Sequence, residues 1–319
     1  MILTVTLNAA LDVTYEVDRL LPGASHRVER VHERAGGKGI NVARVLAALG
    51  RPAAVTGLAG GATGSLLRQE LHAAGLRDDL VAVAGDSRRT VTVVSRADGE
   101  ATVFNQPGPR SQPSEWAAFR AHYARLVEEA EVVVLAGSLP PGLPQDAYAQ
   151  LVTAAARAGA TTVVDASGAA LLAALAAGPD VVKPNAAELA EATGRPGIED
   201  GVDTLRLLGA RAVVLSRGPD GLHAVTPEGR WRSAPPRRLA GNPTGAGDAC
   251  VAALAAGLAD GAGWPELLRE ATALSAAAVL RPVAGEVDLA AHPRFRATVL
   301  VEELKRDEPK ETDRAHPDR

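Results

Sequence analysis

An α/β fold is predicted, with a doubly wound, mainly parallel sheet, helices on both faces and a small β-sheet lid. Three observations predict it. Downstream of Trp116, short β-branched apolar runs alternate with Ala- and Leu-rich runs of helical length, the rhythm of a parallel sheet. Polar groups cluster just after the strand runs, where open α/β sheets bind ligands. Two glycine-rich stretches, Ala35-Gly-Gly-Lys-Gly-Ile-Asn41 and Asn242-Pro-Thr-Gly-Ala-Gly-Asp248, each run directly into a helical pattern.

In chain order, Ile2 to Leu7 reads as a buried strand because it is apolar and β-branched. Asn8-Ala-Ala-Leu-Asp12 leaves its C-terminal end, so Asp12 can accept hydrogen bonds from vicinal sugar hydroxyls or simply cap a turn. From Val13 to Arg34 the residues alternate loosely around Pro22-Gly23, as exposed strands do. Lys38 and Asn41 then bring a cation and an amide to a helix start over Val42 to Leu49, with Gly50 as its stop. This is not a Walker loop, since the four-residue spacer and the following Ser/Thr are missing.

Val55 to Leu58 reads as a short strand, and Ala59-Gly-Gly-Ala-Thr-Gly64 as a loop before a helix over 65–74. Arg96-Ala-Asp-Gly-Glu100 between two β-rich runs signals a hairpin, with Arg88 at its entry. The remaining strands are expected at 132–136, 161–165, 181–183 and 212–216, with helices near 115–130, 145–158, 168–177 and 186–193. Their ends carry Gly137-Ser138, Asp165, Lys183-Pro-Asn185 and Ser216-Arg-Gly218. Further helices are expected over 249–258 and 266–281. The core is then 1–12, 35–86 and 106–304, the lid is 13–34 and 87–105, and the mixed-charge stretch 305–319 is expected to be disordered.

The Asn242–Asp248 stretch organises the chemistry. Gly245, Ala246 and Gly247 let backbone N–H groups approach an anion, and the helix dipole favours negative charge there. Asp248 in the first turn can accept a proton from a hydroxyl in line with a phosphorus atom. A dinucleotide fingerprint is excluded, because its third glycine would fall at Cys250 and the preceding segment is rich in Pro and Arg. A plain Gly-rich loop with Asp248 as a helix cap is the simpler alternative.

Composition narrows the classes. The 319 residues are 46% hydrophobic and only 3% aromatic, so Ala, Val and Leu fill the core. A net charge of −4 gives no reason to expect nucleic acid or an anionic membrane as partner. The single cysteine, Cys250, falls on an apolar helix and reads as packing, and the seven histidines lack ligand spacing. Without a signal-peptide pattern or an apolar run of about 18 residues, a cytoplasmic protein is expected.

In this order the motifs resemble the ribokinase-like (PfkB) carbohydrate kinase family, and within it the phosphofructokinase branch. The likeness runs from about Leu3 to about Ala290. It is carried by Gly36, Gly37, Gly39, Asn41, Ala43, Gly50 and Gly60, and by Gly245-Ala-Gly-Asp248. Leu7-Asn8, Leu11-Asp12, Gly137-Ser-Leu-Pro-Pro-Gly142, Val182-Lys-Pro-Asn185 with Glu188, and Ser216 with Gly218 and Gly221 resemble branch motifs.

The resemblance implies ATP as co-substrate and Mg²⁺ as cofactor. It makes Asp248 the base and Gly245, Ala246 and Gly247 the anion hole. Asn185 and Glu188 would organise Mg²⁺ through water, and Lys183, Ser216, Gly218, Gly221, Thr244, Ala276 and Ala277 would serve ATP. Asp12, Gly37, Asn41 and Ser138 would hold the sugar, and Lys38 and Arg88 its existing phosphate. The partner is thus a small sugar phosphate, with a homodimer paired through the lid.

Asn242-Pro243 replaces the Asp-Thr or Ser-Thr of many relatives, and Thr90 stands where fructose-1-phosphate kinases often carry Asn. Lys38, with no lysine near position 25, favours fructose 1-phosphate or tagatose 6-phosphate over fructose 6-phosphate. A kinase for an unphosphorylated sugar or nucleoside and a non-catalytic sugar-phosphate sensor are the rival readings. The intact Asp248, Asn185 and Glu188 argue against the sensor.

Overall fold

A computed structural model describes residues 1–304 apart from Pro196 and Pro236, so the tail expected over 305–319 lies outside the described residues. The chain begins with β1 (Ile2–Thr6), β2 (Ala10–Val17), β3 (Arg30–Gly36), α1 (Lys38–Ala48), β4 (Ala53–Gly60), α2 (Gly61–Ala73) and β5 (Arg77–Val83). The hairpin β6 (Arg88–Ser95) and β7 (Ala101–Asn105) leads to α3 (Pro113–Leu126), β8 (Val132–Ala136), α4 (Ala147–Arg157), β9 (Thr161–Asp165) and α5 (Gly168–Leu175). Next come β10 (Val181–Val182), α6 (Ala186–Thr193), α7 (Ile198–Leu207), β11 (Val213–Ser216), β12 (Leu222–Val225) and β13 (Arg230–Ala234). The described chain ends with α8 (Ala246–Ala259), α9 (Trp264–Val279), α10 (His292–Thr298) and β14 (Leu300–Leu304).

Ten strands form one sheet in the order β14-β13-β12-β11-β10-β9-β8-β1-β4-β5. From β11 to β5 every pairing is parallel, and β12, β13 and β14 extend it antiparallel. The strands β1, β8 and β9 are buried on both faces, which is why they read as near-continuous apolar runs. On one face α3 to α7 pack Phe119, Tyr123, Tyr148 and Leu151 against the sheet. On the other, α1, α8 and α9 pack Val42, Leu46, Leu254 and Leu268. Helix α8 is Ala-rich because its neighbours come close: a Cβ at Gly257 would lie 2.4 Å from Leu267. Cys250 is buried on α8 in the packing role expected of it. The aromatics stack in two small groups, Trp116 on Phe119 at 5.6 Å and Trp231 on Trp264 at 6.5 Å between ring centroids.

Beside the main body stands a four-stranded sheet in the order β3-β2-β6-β7, with β2 and β6 parallel at its centre. Leu11, Val13 and Ala35 from this sheet pack against Ile40, Leu67 and Leu71 of α1 and α2. Asp12 lies on strand β2 rather than in a turn after β1. The expected loop at 59–64 does not exist, because β4 continues to Gly60 and α2 begins at Gly61, where φ is +66°. Central β1 has β4 on one side and β8 on the other, so the connections leave it in opposite directions. A crevice opens at the C-terminal end of such a strand.

Candidate active site

The crevice is a cavity of about 680 Å³, bordered by Thr6 and Asn8 after β1, Gly137 and Ser138 after β8, and Ala166 and Ser167 after β9. Gly37, Lys38, Arg88 and Glu188 complete the charged and flexible parts of its wall. The Tyr148 hydroxyl donates to the Gly137 carbonyl at 3.0 Å, and Asn8 Nδ2 donates to Ser138 Oγ at 3.1 Å, so this rim is fixed from behind.

Asp12 is held across the small sheet. Its register neighbours are Arg34 on β3 and Thr90 on β6. Burial pushes its carboxyl up to about 6, against the pull of Arg88, the Thr90 hydroxyl and Arg34. Gly36 must lack a side chain, since a Cβ there would lie 1.9 Å from Asp12 Oδ2. Arg88 is braced in turn: Nε donates to the Asn8 carbonyl at 3.0 Å and Nη1 to the Gln106 carbonyl at 3.2 Å.

Asp248 lies in the first turn of α8, only 7% exposed. Asn41 Nδ2, from α1, donates to its Oδ2 at 2.9 Å. Burial, reinforced by the Asp165 charge, pushes the Asp248 carboxyl up to about 7, with Asn41, Lys38 and Lys183 opposing. The helix start depends on Gly245, whose φ is +87° and whose added Cβ would lie 2.7 Å from Ala284 Cα. Gly245→Ala should therefore destabilise the protein by about 1–3 kcal/mol, read by urea unfolding, because a side chain is strained in that conformation. Asn242 performs the turn chemistry itself. Its Oδ1 accepts from Thr244 N at 3.0 Å and its Nδ2 donates to the Pro282 carbonyl at 2.8 Å.

An ion cluster centred on the buried Asp165 lies between this base and the cavity wall. Lys38 Nζ donates to Asp165 Oδ1 at 2.9 Å and lies 3.6 Å from Glu188 Oε1. Lys183 Nζ lies 3.5 Å from the same Asp165 oxygen. Burial alone would lower the Lys38 ammonium, but Asp165 and Glu188 hold it above the ordinary lysine value. Asp165 is the centre of this cluster, and the sequence marks it only as a polar residue at a strand end.

Asn185 caps α6 reciprocally with Glu188: the Glu188 N–H donates to Asn185 Oδ1, and the Asn185 N–H to Glu188 Oε2, both at 2.9 Å. Asn185 also bridges to Ser216, whose N–H donates to the Pro184 carbonyl at 2.9 Å. Gly218 opens a tight turn closed by Gly221, where a Cβ would meet the Ser233 carbonyl at 2.0 Å. Ala276 and Ala277 are buried on α9, at 5% and 0% exposure, and neither borders the cavity. Thr244, by contrast, is exposed. Among the described residues no three acidic, His or Cys side chains gather as a metal cage. Hard carboxylate and amide oxygens beside lysines suit instead a Mg²⁺ that arrives on a nucleotide and keeps its waters.

A buried carboxylate in the first turn of a helix, within the field of two lysines, suits the removal of a hydroxyl proton next to an anion. Fold and site together define an ATP-dependent sugar kinase. The model of the pfkB family carbohydrate kinases matches residues 4–289, and the chain belongs to that family. It is 41% identical to a 1-phosphofructokinase of Xanthomonas campestris over 269 residues, 82% of this chain and 85% of the relative. Its fold is similar to phosphofructokinase-2 from Escherichia coli in complex with potassium, with a TM-score of 0.86, 32% identity and coverage of 93% and 98% of the two chains. It is also similar to a possible 1-phosphofructokinase from Thermotoga maritima, with a TM-score of 0.87, 28% identity and coverage of 96% and 100%.

Proposed function

We propose that the protein transfers the terminal phosphoryl group of ATP to the free primary hydroxyl of fructose 1-phosphate, giving fructose 1,6-bisphosphate. The observation that carries the chemistry is Asp248, buried at the start of α8 and oriented by Asn41 at 2.9 Å. The sugar is supported by the 41% identity to a 1-phosphofructokinase and by the basic residues of the cavity wall.

In this reading Asp12, Gly37, Asn41 and Ser138 hold the sugar, and Lys38 and Arg88 hold its resident phosphate. Asp248 takes the hydroxyl proton as the oxygen attacks. The N–H groups at Gly245, Ala246 and Gly247 carry the developing charge. Lys183, Ser216, Gly218, Gly221 and Thr244 form the nucleotide side. Ala276 and Ala277 serve it from behind by fixing α9, since they are buried. Asn185 and Glu188 would hold Mg²⁺ through water, where it would supply positive charge to the ATP phosphates. The small sheet, taken with its loops as 13–34 and 87–105, acts as the lid that excludes water. Its edge strands expose Val31, Val103 and Phe104, which a second copy of the chain covers in a homodimer, and light scattering tests that state. The protein works in the cytoplasm.

The experiment is coupled ADP release with Mg²⁺ and ATP against fructose 1-phosphate, tagatose 6-phosphate, fructose 6-phosphate and free sugars. The highest kcat/KM is expected for fructose 1-phosphate. Turnover of free sugars alone removes the phosphate-binding role of Arg88, and a preference for fructose 6-phosphate sides with the phosphofructokinase-2 likeness.

The elevated carboxyl of Asp248 predicts the pH profile. The base works only when ionised, so kcat/KM rises with pH through about 7. A flat profile between about pH 5.5 and 8.5 removes Asp248 from this role.

A further inference from the structure

The small sheet carries a polar row that ends at the cavity. Arg34, Asp12, Thr90 and Asn105 stand directly opposite one another across β3, β2, β6 and β7, so their side chains share one face. The other face belongs to the core, where Leu11 and Val13 pack. Three members of the row are engaged within the protein. The Thr90 hydroxyl hydrogen-bonds the Asp12 carboxyl and accepts from Arg88 Nη1 at 3.5 Å, and Arg34 Nη1 donates to Glu286 at 3.3 Å. Asn105 differs, because it is exposed at the end of the edge strand and borders the cavity. Its neighbour Gln106 also borders the cavity, but the Gln106 Oε1 already accepts from the Arg89 N–H at 2.8 Å. The Arg88 guanidinium lies alongside, since its Nη1 donates to the Gln106 carbonyl. Asn105 therefore brings an amide, donor and acceptor together, to the wall beside Arg88.

We propose that Asn105 is a specificity-determining residue, which reads the hydroxyl on the ring carbon next to the phosphorylated arm of the sugar. The inference rests on the kinase reading above and on Arg88 as a holder of the resident phosphate. In the furanose ring of fructose 1-phosphate that carbon is the anomeric one, and it carries a hydroxyl. A fructose or tagatose 6-phosphate that offers its C1 hydroxyl to Asp248 enters end for end. The carbon beside its phosphorylated arm is then C5, which bears hydrogen where fructose 1-phosphate bears oxygen. Asn105 Oδ1 accepts from the anomeric hydroxyl of the first sugar and finds no donor on the others. Asp12 does not make this distinction, because the vicinal ring hydroxyls it accepts from are present in both fructose phosphates. Selection among sugar phosphates thus falls to the edge of the small sheet, one strand beyond the Asp12 and Thr90 pair.

The test measures kcat/KM, and Kd by calorimetry, for the full chain as wild type and as Asn105→Ala. The two substrates are fructose 1-phosphate and 2,5-anhydromannitol 1-phosphate, which has hydrogen in place of the anomeric hydroxyl. Wild-type protein is expected to prefer fructose 1-phosphate about tenfold, the effect of one hydrogen bond to a substrate hydroxyl. Asn105→Ala should abolish that preference, lowering kcat/KM for fructose 1-phosphate about tenfold and changing that of the analogue by less than about twofold. Equal losses on the two substrates would make Asn105 a structural residue of the edge strand and overturn the inference. A wild type that uses both substrates equally well overturns it too. If Asn105→Ala fails to fold, Asn105→Leu is judged by the same ratio, since it keeps the shape of the side chain and removes both polar atoms. Wild-type protein that phosphorylates no sugar phosphate removes the kinase reading and the inference together, an outcome distinct from equal use of both substrates.

Discussion

Asp248→Asn is expected to lower kcat by about 10²–10⁴-fold, the usual worth of general-base assistance, while the protein stays folded. The amide is isosteric and its oxygen still accepts from Asn41 Nδ2, so the helix start is undisturbed. What disappears is a proton acceptor that burial has placed at about 7. The same burial has a cost in stability, and its sign is opposite to that of a salt-bridged acid. An unfolded Asp ionises near 3.8, whereas the native carboxyl holds its proton until about 7. Between those values the folded state binds more protons than the unfolded one, so this group's contribution falls as pH rises and then levels off. Asp248→Asn lacks that slope. Its melting temperature should exceed the wild type's at pH 8 by more than it does at pH 5, as calorimetry will read. Near-normal kcat in the folded variant would exclude Asp248 as the base.

Arg88→Gln is expected to raise KM for the sugar phosphate by about 10–100-fold and to leave KM for ATP nearly unchanged. The guanidinium is fixed by two carbonyls, so little side-chain freedom is lost when an anion arrives. Glutamine can keep one of those hydrogen bonds but brings no charge. Loss of kcat with both KM values intact would place Arg88 outside the substrate's phosphate site. Equal changes in both KM values would instead mean that it shapes the cleft as a whole.

The parallel strands were readable because burial on both faces writes them as unbroken apolar runs, as in Val132–Ala136. The edges were not. Strand β5 reads Arg-Asp-Asp before its apolar residues, and β14 is Leu-Val-Glu-Glu-Leu with most of its side chains exposed, so neither carries the periodicity of a core strand. Their pairing is decided by neighbours far away in sequence. Helices α7 and α10 went unread for a related reason: α7 follows Gly197 in a polar stretch, and α10 is seven residues long.

At the site, Asp248, Lys38 and Asn41 were legible because glycines mark where the chain must turn tightly beside a ligand. The Asn41–Asp248 hydrogen bond joins residues 207 positions apart, and no local pattern encodes it. The same holds for Asp165, whose two lysines come from α1 and from the end of β10. A polar residue at the end of an apolar strand was the available signal. It indicated a place, and the partners came only with the topology.

The distribution of aromatic rings has an optical consequence. All three tryptophans, Trp116, Trp231 and Trp264, are at most 7% exposed, and none borders the cavity. Intrinsic fluorescence will thus follow global unfolding with a strong signal and remain nearly silent when substrates bind. Denaturation curves recorded with and without sugar phosphate can then be compared without correcting the folded baseline. Phe104→Trp in the small sheet, at a position 56% exposed, would add a separate signal from that sheet.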